Sequence, residues 1–218
     1  MLLPPNRYAL AIHTSSANLG LAMSNFNGEV RGQTWELGRD VSNQLQLQLE
    51  AFLSPQTWQD LEFLAVSIGP GGFTGTRIGV VTARTLAQQL EIPIFGVSSL
   101  AAIAWQTHLQ SPVEDGTRIA VQMLAQRGHI YGAIYVVRAM LNDGNTMHLE
   151  TSMPDAVFTE AAWLEVLNQW DCGQTIVTAE GMGDSALAML DLAYQNWQAG
   201  DRPSWADVVP FYGLSPVS

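Results

Sequence analysis

The residues best suited to chemistry lie in one glycine-rich segment, which reads Gly69-Pro70-Gly71-Gly72-Phe73-Thr74-Gly75-Thr76-Arg77-Ile78-Gly79. An apolar run over residues 63–68 precedes it and predicts a strand, and the small and apolar residues from Thr76 to Leu90 predict a helix. A strand, a glycine-rich turn and a helix present backbone N–H groups at a helix N-terminus, where they can bind phosphate. Either Thr74 or Thr76 is expected to cap the helix. Phosphate binding is therefore the first chemistry to test.

Neither common nucleotide-binding motif fits this spacing. A Walker loop needs a glycine, four further residues and then Gly-Lys followed by Ser or Thr. Counted from Gly69, Thr74 stands where the second glycine should be, and the segment has no lysine. A dinucleotide fingerprint needs its third glycine three positions after the second, and with Gly71 as the second, Gly75 comes one position late. The next predicted strand, residues 93–97, is followed by no acid that could hold a ribose.

The predicted helix is apolar around most of its circumference. Its small residues recur at spacings of three and four, which lets a second helix approach closely; they are Gly79, Thr82, Ala83 and Ala87. Two interpretations stay open. The helix is either a central one covered by its own chain, or one that packs on a partner protein.

The glycine-rich segment resembles the Gly-Pro-Gly-Ser-Phe-Thr-Gly-x-Arg-Ile-Gly signature of the TsaB family, the bacterial tRNA threonylcarbamoyladenosine biosynthesis proteins. The resemblance is specific over residues 64–104, recognisable over 8–22 and weak after Met140. The signature is long and unusual in composition, so a chance match is unexpected. The resemblance implies an actin-like or Hsp70-like (ASKHA) α/β fold.

The order of predicted elements agrees with that fold. Three short strands open the chain at residues 8–12, 18–24 and 29–36, and a helix, a strand and a second helix follow. A polar, turn-rich stretch at 110–116 is the best linker candidate, and a second strand meander follows it. We therefore predict two related α/β halves with mixed sheets, at residues 1–109 and 110–218.

Residues 42–53 fit two patterns. Strict alternation from Gln44 to Glu50 favours a strand, whereas Leu45, Leu49 and Phe52 form a helical stripe that begins after a possible N-cap at Ser42. The family has a helix here, so we predict a helix. In relatives, this helix and the one after the glycine-rich turn contact the sister protein.

Positions that hold a nucleotide in active members of this fold have lost their acids. The resemblance implies an aspartate at the first hairpin, where this chain has His13, and a neutral imidazole lacks the carboxylate oxygen that magnesium prefers. At the second hairpin, the family's Asp-Ala-Arg-x-Gly-Glu becomes a run from Leu124 to His129. The candidate nucleotide site is thus only vestigial, and no cofactor is expected; its residues would be His13, Thr14, Gly71 and Gly72.

Composition narrows the class of protein. Of 218 residues, 47% are hydrophobic and 13% charged, which predicts a well-packed globular protein rather than disorder. No apolar run reaches the roughly 18 residues that span a membrane, and the first residues lack the pattern of a secretory signal. Cys172 is the single cysteine, so we expect no intrachain disulfide and a cytoplasmic location. The net charge of −11 argues against strong direct binding of nucleic acid.

The resemblance implies a non-catalytic subunit of the machinery that makes N6-threonylcarbamoyladenosine at position 37 of tRNA. It implies pairing with the catalytic relative TsaD, work with the ATPase TsaE, and a homodimer when the chain is alone. The predicted partner interface consists of Leu45, Leu49, Phe52, Ile78, Gly79, Thr82, Ala83 and Leu86.

The alternative function is an ATP-dependent phosphotransferase or hydrolase of the same fold, which isothermal titration with Mg-ATP would distinguish. A protease is a third and weaker hypothesis. No Gly-x-Ser-x-Gly elbow is present, and the four histidines lie too far apart in sequence for a metal motif. We therefore predict no metal site and no catalytic residue.

Overall fold

The structure is a computed structural model and describes residues 2–140, 146–170, 173–178 and 181–213. Cys172 lies outside the described residues. The chain divides into two compact units. The first contains residues 2–99 and 181–211, and the second contains the described residues between 100 and 178 together with 212–213.

The first unit is built on a five-stranded mixed sheet. Its strands are β1 (Tyr8–His13), β2 (Asn18–Ser24), β3 (Val30–Glu36), β4 (Leu61–Ser67) and β5 (Ile94–Val97), in the order β3-β2-β1-β4-β5. The first three pair antiparallel as a meander, while β4 and β5 add in parallel. The central strand β1 is buried along its whole length, which explains its unbroken apolar run.

Helices cover both faces of this sheet. The α-helices in the described residues are α1 (Val41–Leu53), α2 (Phe73–Leu90), α3 (Ser99–Gln110), α4 (Glu160–Trp170) and α5 (Ala186–Ala199). On one face, α1 and α2 pack over Leu10, Ile12 and Leu64 in the main hydrophobic core. On the other face, α5 packs against β1 and β2, and the Trp197 ring lies 6.0 Å from that of Phe63.

The helix predicted at residues 42–53 is confirmed. Burial of Leu45 and Leu49 in the first unit's core, at 3% and 2% exposure, stabilises the helical stripe over the competing alternation. The predicted cap at Ser42 is wrong, because the helix begins at Val41 and the residue before it, Asp40, makes no side-chain cap.

The helix after the glycine-rich turn starts three residues earlier than predicted, at Phe73. Neither threonine caps it, so both cap predictions are wrong. Gly72 is the N-cap residue, and the Thr76 hydroxyl, one turn inside the helix, donates back to the Gly72 carbonyl at 2.9 Å. The threonines lie too far along the helix to accept from its first N–H groups.

The second unit repeats the opening plan of the first. Its sheet runs β8-β7-β6-β9, with β6 (Arg118–Leu124), β7 (His129–Ala139), β8 (Met147–Thr159) and β9 (Gln174–Thr178). Again three strands form an antiparallel meander, and a parallel strand joins its first member. Trp163 of α4 fills a niche over Gly132, where a Cβ would lie 2.5 Å from its ring. The predicted α/β fold with two related mixed sheets is confirmed.

Among the described residues, no helix combines the length and apolarity that crossing a membrane requires.

The C-terminal end of α1 is held by a charged side chain from the edge strand β3. The Arg31 Nη2 group donates to the carbonyl oxygens of Phe52 and Leu53 at 2.9 and 2.8 Å, and to Gln56 Oε1 at 2.7 Å. The last carbonyls of a helix have no partner within it, and a cation there also meets the negative end of the helix dipole. Arg31 therefore fixes the position of α1 relative to the sheet.

We expect Arg31→Met to lower the free energy of unfolding by about 1.5–3 kcal/mol, because the helix end loses a charged donor. Urea unfolding measured by circular dichroism tests this. The exposed Arg39, which lies just before α1, provides the control, and Arg39→Met should stay within about 0.5 kcal/mol. Equal effects of the two variants would contradict the assigned role.

Candidate functional site

The glycine-rich turn packs directly on the turn between β1 and β2. A Cβ at Gly71 would lie 2.0 Å from the carbonyl oxygen of Ser15, and one at Gly75 would lie 2.2 Å from that of Thr14. A Cβ at Gly79 would lie 2.1 Å from the Thr14 hydroxyl. No side chain fits at such distances, so these glycines serve the close approach of two backbone segments.

Hydrogen bonds close the same contact. The Gly72 N–H donates to the Ser15 carbonyl at 2.6 Å, and the Thr14 hydroxyl donates to the Gly75 carbonyl at 2.8 Å. In a phosphate-binding loop these N–H groups point at the ligand. Here the N–H of Gly72 is already bonded within the chain. Thr14, Gly71 and Gly72 thus lie together, in a contact that the chain fills itself.

Three serine hydroxyls meet under this turn. Ser67 Oγ lies 2.7 Å from both Ser15 Oγ and Ser99 Oγ, and all three residues are at most 1% exposed. Their meeting was not predicted, although they follow or end the parallel strands β1, β4 and β5, whose carboxyl ends share one edge of the sheet. A nucleophilic serine needs an adjacent base, whereas in the described part of the chain these hydroxyls bond to one another and Ser67 Oγ also accepts from the Gly69 N–H at 3.4 Å. Their role is to tie the strand ends together.

His13 ends β1 and is fully buried. Within the described part of the chain, neither ring nitrogen has a hydrogen-bond partner. Burial lowers the pKa of His13 from 6.5 to about 4, because the interior does not solvate the imidazolium ion. The ring is therefore neutral at pH 7.

Another segment of the same chain packs on β2, the strand that pairs with β1 at His13. Gly20 of β2 is the cross-strand partner of His13, and a Cβ at Gly20 would lie 2.0 Å from the carbonyl oxygen of Gly183. Gly183 belongs to a 3-10 turn, Met182–Ser185, that packs on β2. Among the described residues, no group of histidine, cysteine and acidic side chains could hold a metal ion.

The predicted partner residues divide into two groups. Five are buried in the first unit, namely Leu45, Leu49, Phe52, Gly79 and Ala83, and three are partly buried, namely Ile78, Thr82 and Leu86. The buried group cannot touch a partner unless the unit opens. The apolar side chains most exposed on these two helices are instead Leu47 and Val81, at 60% and 61%. Leu47 lies off the inward stripe of α1, so the sequence pattern already indicates that it faces outward.

Comparison with known proteins gives the family. The family model described as "TsaD: tRNA N6-adenosine threonylcarbamoyltransferase" matches residues 44–167, more than half of the chain. The chain belongs to this family. Among curated relatives, it is 34% identical to the tRNA threonylcarbamoyladenosine biosynthesis protein TsaB of Bacillus subtilis over 168 residues, which cover 74% of this chain and 66% of that protein. The predicted resemblance to TsaB is confirmed.

Other comparisons agree. The chain is 31% identical to the Escherichia coli TsaB protein over 58% of this chain and 54% of that one. It spans less than two thirds of the length of these curated relatives. A crystal structure from Pseudomonas aeruginosa, described as an uncharacterized protein with similarity to peptidase YEAZ, superposes with a TM-score of 0.75 at 21% identity. It covers 95% of this chain and 100% of its own. This likeness establishes a shared fold.

Two neighbouring glycines allow the close contact to be tested. We expect Gly71→Ala to lower the free energy of unfolding by about 2 kcal/mol or more, because the new methyl group would overlap backbone atoms of Ser15. Gly72→Ala is the control, since a Cβ there would lie 3.6 Å from the same carbonyl oxygen, an ordinary contact. Chemical denaturation measures the free energy of unfolding of both variants, and equal values would contradict the close contact between Gly71 and Ser15.

His13 predicts how stability depends on pH. Its pKa is about 4 in the folded chain and 6.5 without the shift, so the unfolded chain binds an extra proton between these values. The contribution of neutral His13 to the free energy of unfolding is fully present above pH 6.5. It falls by about 3 kcal/mol as the pH drops to 4. Urea unfolding from pH 4 to 7 should show this slope, and His13→Asn should flatten it. Ala11→Gly, on the same strand, should retain the slope, and a slope equally flat in both would refute the assignment.

Proposed function

We propose that the chain acts in the biosynthesis of N6-threonylcarbamoyladenosine at position 37 of tRNA, as a non-catalytic subunit that pairs with a TsaD-like catalytic protein. A TsaE-like ATPase is a further partner, and the chain pairs with itself when the TsaD-like protein is absent. The names of the curated relatives support the pathway. The match to the TsaD family over residues 44–167 supports descent from a common ancestor with the catalytic subunit.

The observation that carries the proposal is the low charge of the outward faces of α1 and α2, which pack side by side. Among their exposed positions, only Glu50 and Arg77 are charged. The others are Ser42, Asn43, Gln46, Leu47, Ala51, Thr74, Val81, Thr85, Gln88 and Gln89. Depletion of charge, with apolar anchors at the centre, distinguishes the cores of protein interfaces from ordinary surface. Leu47 and Val81 would be those anchors.

The chemistry of the site supports an accessory role. The buried serines bond to one another and, as far as the structure describes the chain, to no base, and His13 is a neutral, enclosed imidazole. An acidic surface with a net charge of −11 also repels tRNA. On this proposal the partner subunit holds the tRNA and performs the transfer.

Co-purification with the TsaD-like protein of the same organism tests the proposal. We expect Leu47→Glu and Val81→Glu each to reduce recovery of the partner at least about tenfold, because each buries a carboxylate at the interface. Matched controls are Leu124→Glu and Val30→Glu, which alter apolar residues exposed by 77% and 66% elsewhere. Unchanged recovery with both helix variants would refute the proposed surface.

Gly79 and Ala83 are unsuitable for this test. A larger side chain at Gly79 would overlap Thr14, and Ala83 is fully buried. Loss of the partner in such variants would report damage to the fold rather than to the interface.

A further inference from the structure

An open cavity of about 590 Å³ lies at the edge of the first unit's sheet. β5 is the last strand of that sheet, and Ile68, Phe95 and Gly96 line the cavity on the strand side. The end of α5 and the chain that follows it, at residues 201–203 and 207–209, line the other side. No residue of α1 or α2 lines the cavity, so it is separate from the proposed partner surface.

Gly96 directs its backbone polar groups away from the sheet. The Leu64 N–H donates to the Pro93 carbonyl at 2.9 Å, and the Ile68 N–H donates to the Val97 carbonyl at 3.0 Å. In a parallel pair, every second residue of a strand bonds to the same neighbouring strand. Pro93 and Val97 bond toward β4, so the N–H and C=O of Gly96 point to the open side of β5. Its neighbour Ile94, on the same outer edge, donates to the Pro203 carbonyl at 3.2 Å. Within the described residues, no bond reaches the outer N–H or C=O of Gly96.

The opposite wall carries negative charge. Asp201 and Asp207 both line the cavity and are exposed. Asp207 accepts one bond, from the Ser204 N–H at 3.2 Å, and the Asp201 carboxylate has no partner among the described residues. The one cation there, Arg202, donates through Nη1 to the carbonyls of Trp197 and Asp201 at 2.8 and 2.6 Å. Bonds to neutral carbonyls leave the charge of Arg202 in place, so the two carboxylates and this guanidinium together give the lining a net negative charge that attracts a further cation.

Apolar surface lies beside these carboxylates. Val208 is buried and Val209 is 56% exposed, and both border the cavity with Ile68. An aliphatic stem that ends in a cationic group matches this combination, and lysine and arginine side chains have that form. The net charge of −11 favours the approach of such a group from a distance.

We propose that this cavity binds a lysine or arginine residue in an extended segment of a partner polypeptide. The backbone of the guest residue exchanges hydrogen bonds with Gly96, as in the addition of a strand to a sheet edge. Its stem lies against Val209 and its cationic group reaches Asp201 and Asp207. The bond between Ile94 and Pro203 closes the edge on one side, so pairing is confined to the residue opposite Gly96.

The experiment is an NMR titration of the full ¹⁵N-labelled chain with the blocked peptide acetyl-Ala-Lys-Ala-amide. We expect a saturable shift of the Gly96 amide signal, and a peptide with norleucine in place of lysine should produce none. The Asp201→Asn and Asp207→Asn double variant should bind the lysine peptide about tenfold more weakly or worse, because it loses charge-assisted contacts. Asparagine at 207 keeps an acceptor for the Ser204 N–H. Glu91→Gln, an exposed change at the end of α2, should leave binding unchanged.

Three outcomes would overturn the proposal. Absence of a Gly96 shift at millimolar peptide would show that the edge does not accept a guest. An equal shift with the norleucine peptide would remove the role of the carboxylates. An equal shift with methylammonium chloride would show that the cavity takes a small cation and not a polypeptide. Each outcome is independent of pairing through α1 and α2, which lie outside the cavity.

Discussion

The first unit depends on the near-contact of two backbone segments, the β1–β2 turn and the glycine-rich turn before α2. Gly71, Gly75 and Gly79 recur at intervals of four and all approach Thr14 or Ser15. Because those two residues directly follow the central strand β1, the approach fixes the first turns of α2 against the middle of the sheet. The orientation of the outer face of α2, including Val81, follows from it. The family signature is thus first a packing requirement.

The polar groups at the glycine-rich turn have structural roles in this chain. The Gly72 N–H bonds to Ser15, and Ser67 joins Ser15 to Ser99. His13 is enclosed without a partner among the described residues, and a buried polar group left unpaired destabilises a fold. The first unit tolerates that cost at the centre of a sheet that helices cover on both faces.

Sequence reasoning predicted the fold well because meanders, apolar runs and turn residues are local signals. For α1 the pattern alone left strand and helix open, and the resemblance to the family decided for the helix. The structure shows the physical reason, which is that the stripe through Leu45 and Leu49 is buried in the core. The cap predictions were wrong because the observed N-cap residues, Asp40 and Gly72, lie two to four residues before the predicted ones, and sequence pattern does not fix helix ends so closely. The partner interface was harder still. An apolar stripe indicates burial without telling whether the same chain or another chain covers it, and so residues that this chain buries itself, such as Leu49 and Ala83, were predicted to contact a partner. The serine contact was predictable only from knowing which strands lie side by side.

The first unit is assembled from two stretches of chain that the second unit separates. The sheet is complete after residue 99, but the 3-10 turn against Gly20 and the helix α5 come only after residue 181. Synthesis on the ribosome at about 5–20 residues per second leaves an interval of several seconds between them. During that interval one apolar face of the nascent sheet, with Ala9, Ala11 and Phe63, has no cover. The newborn chain therefore offers chaperones a target that disappears when α5 emerges from the exit tunnel.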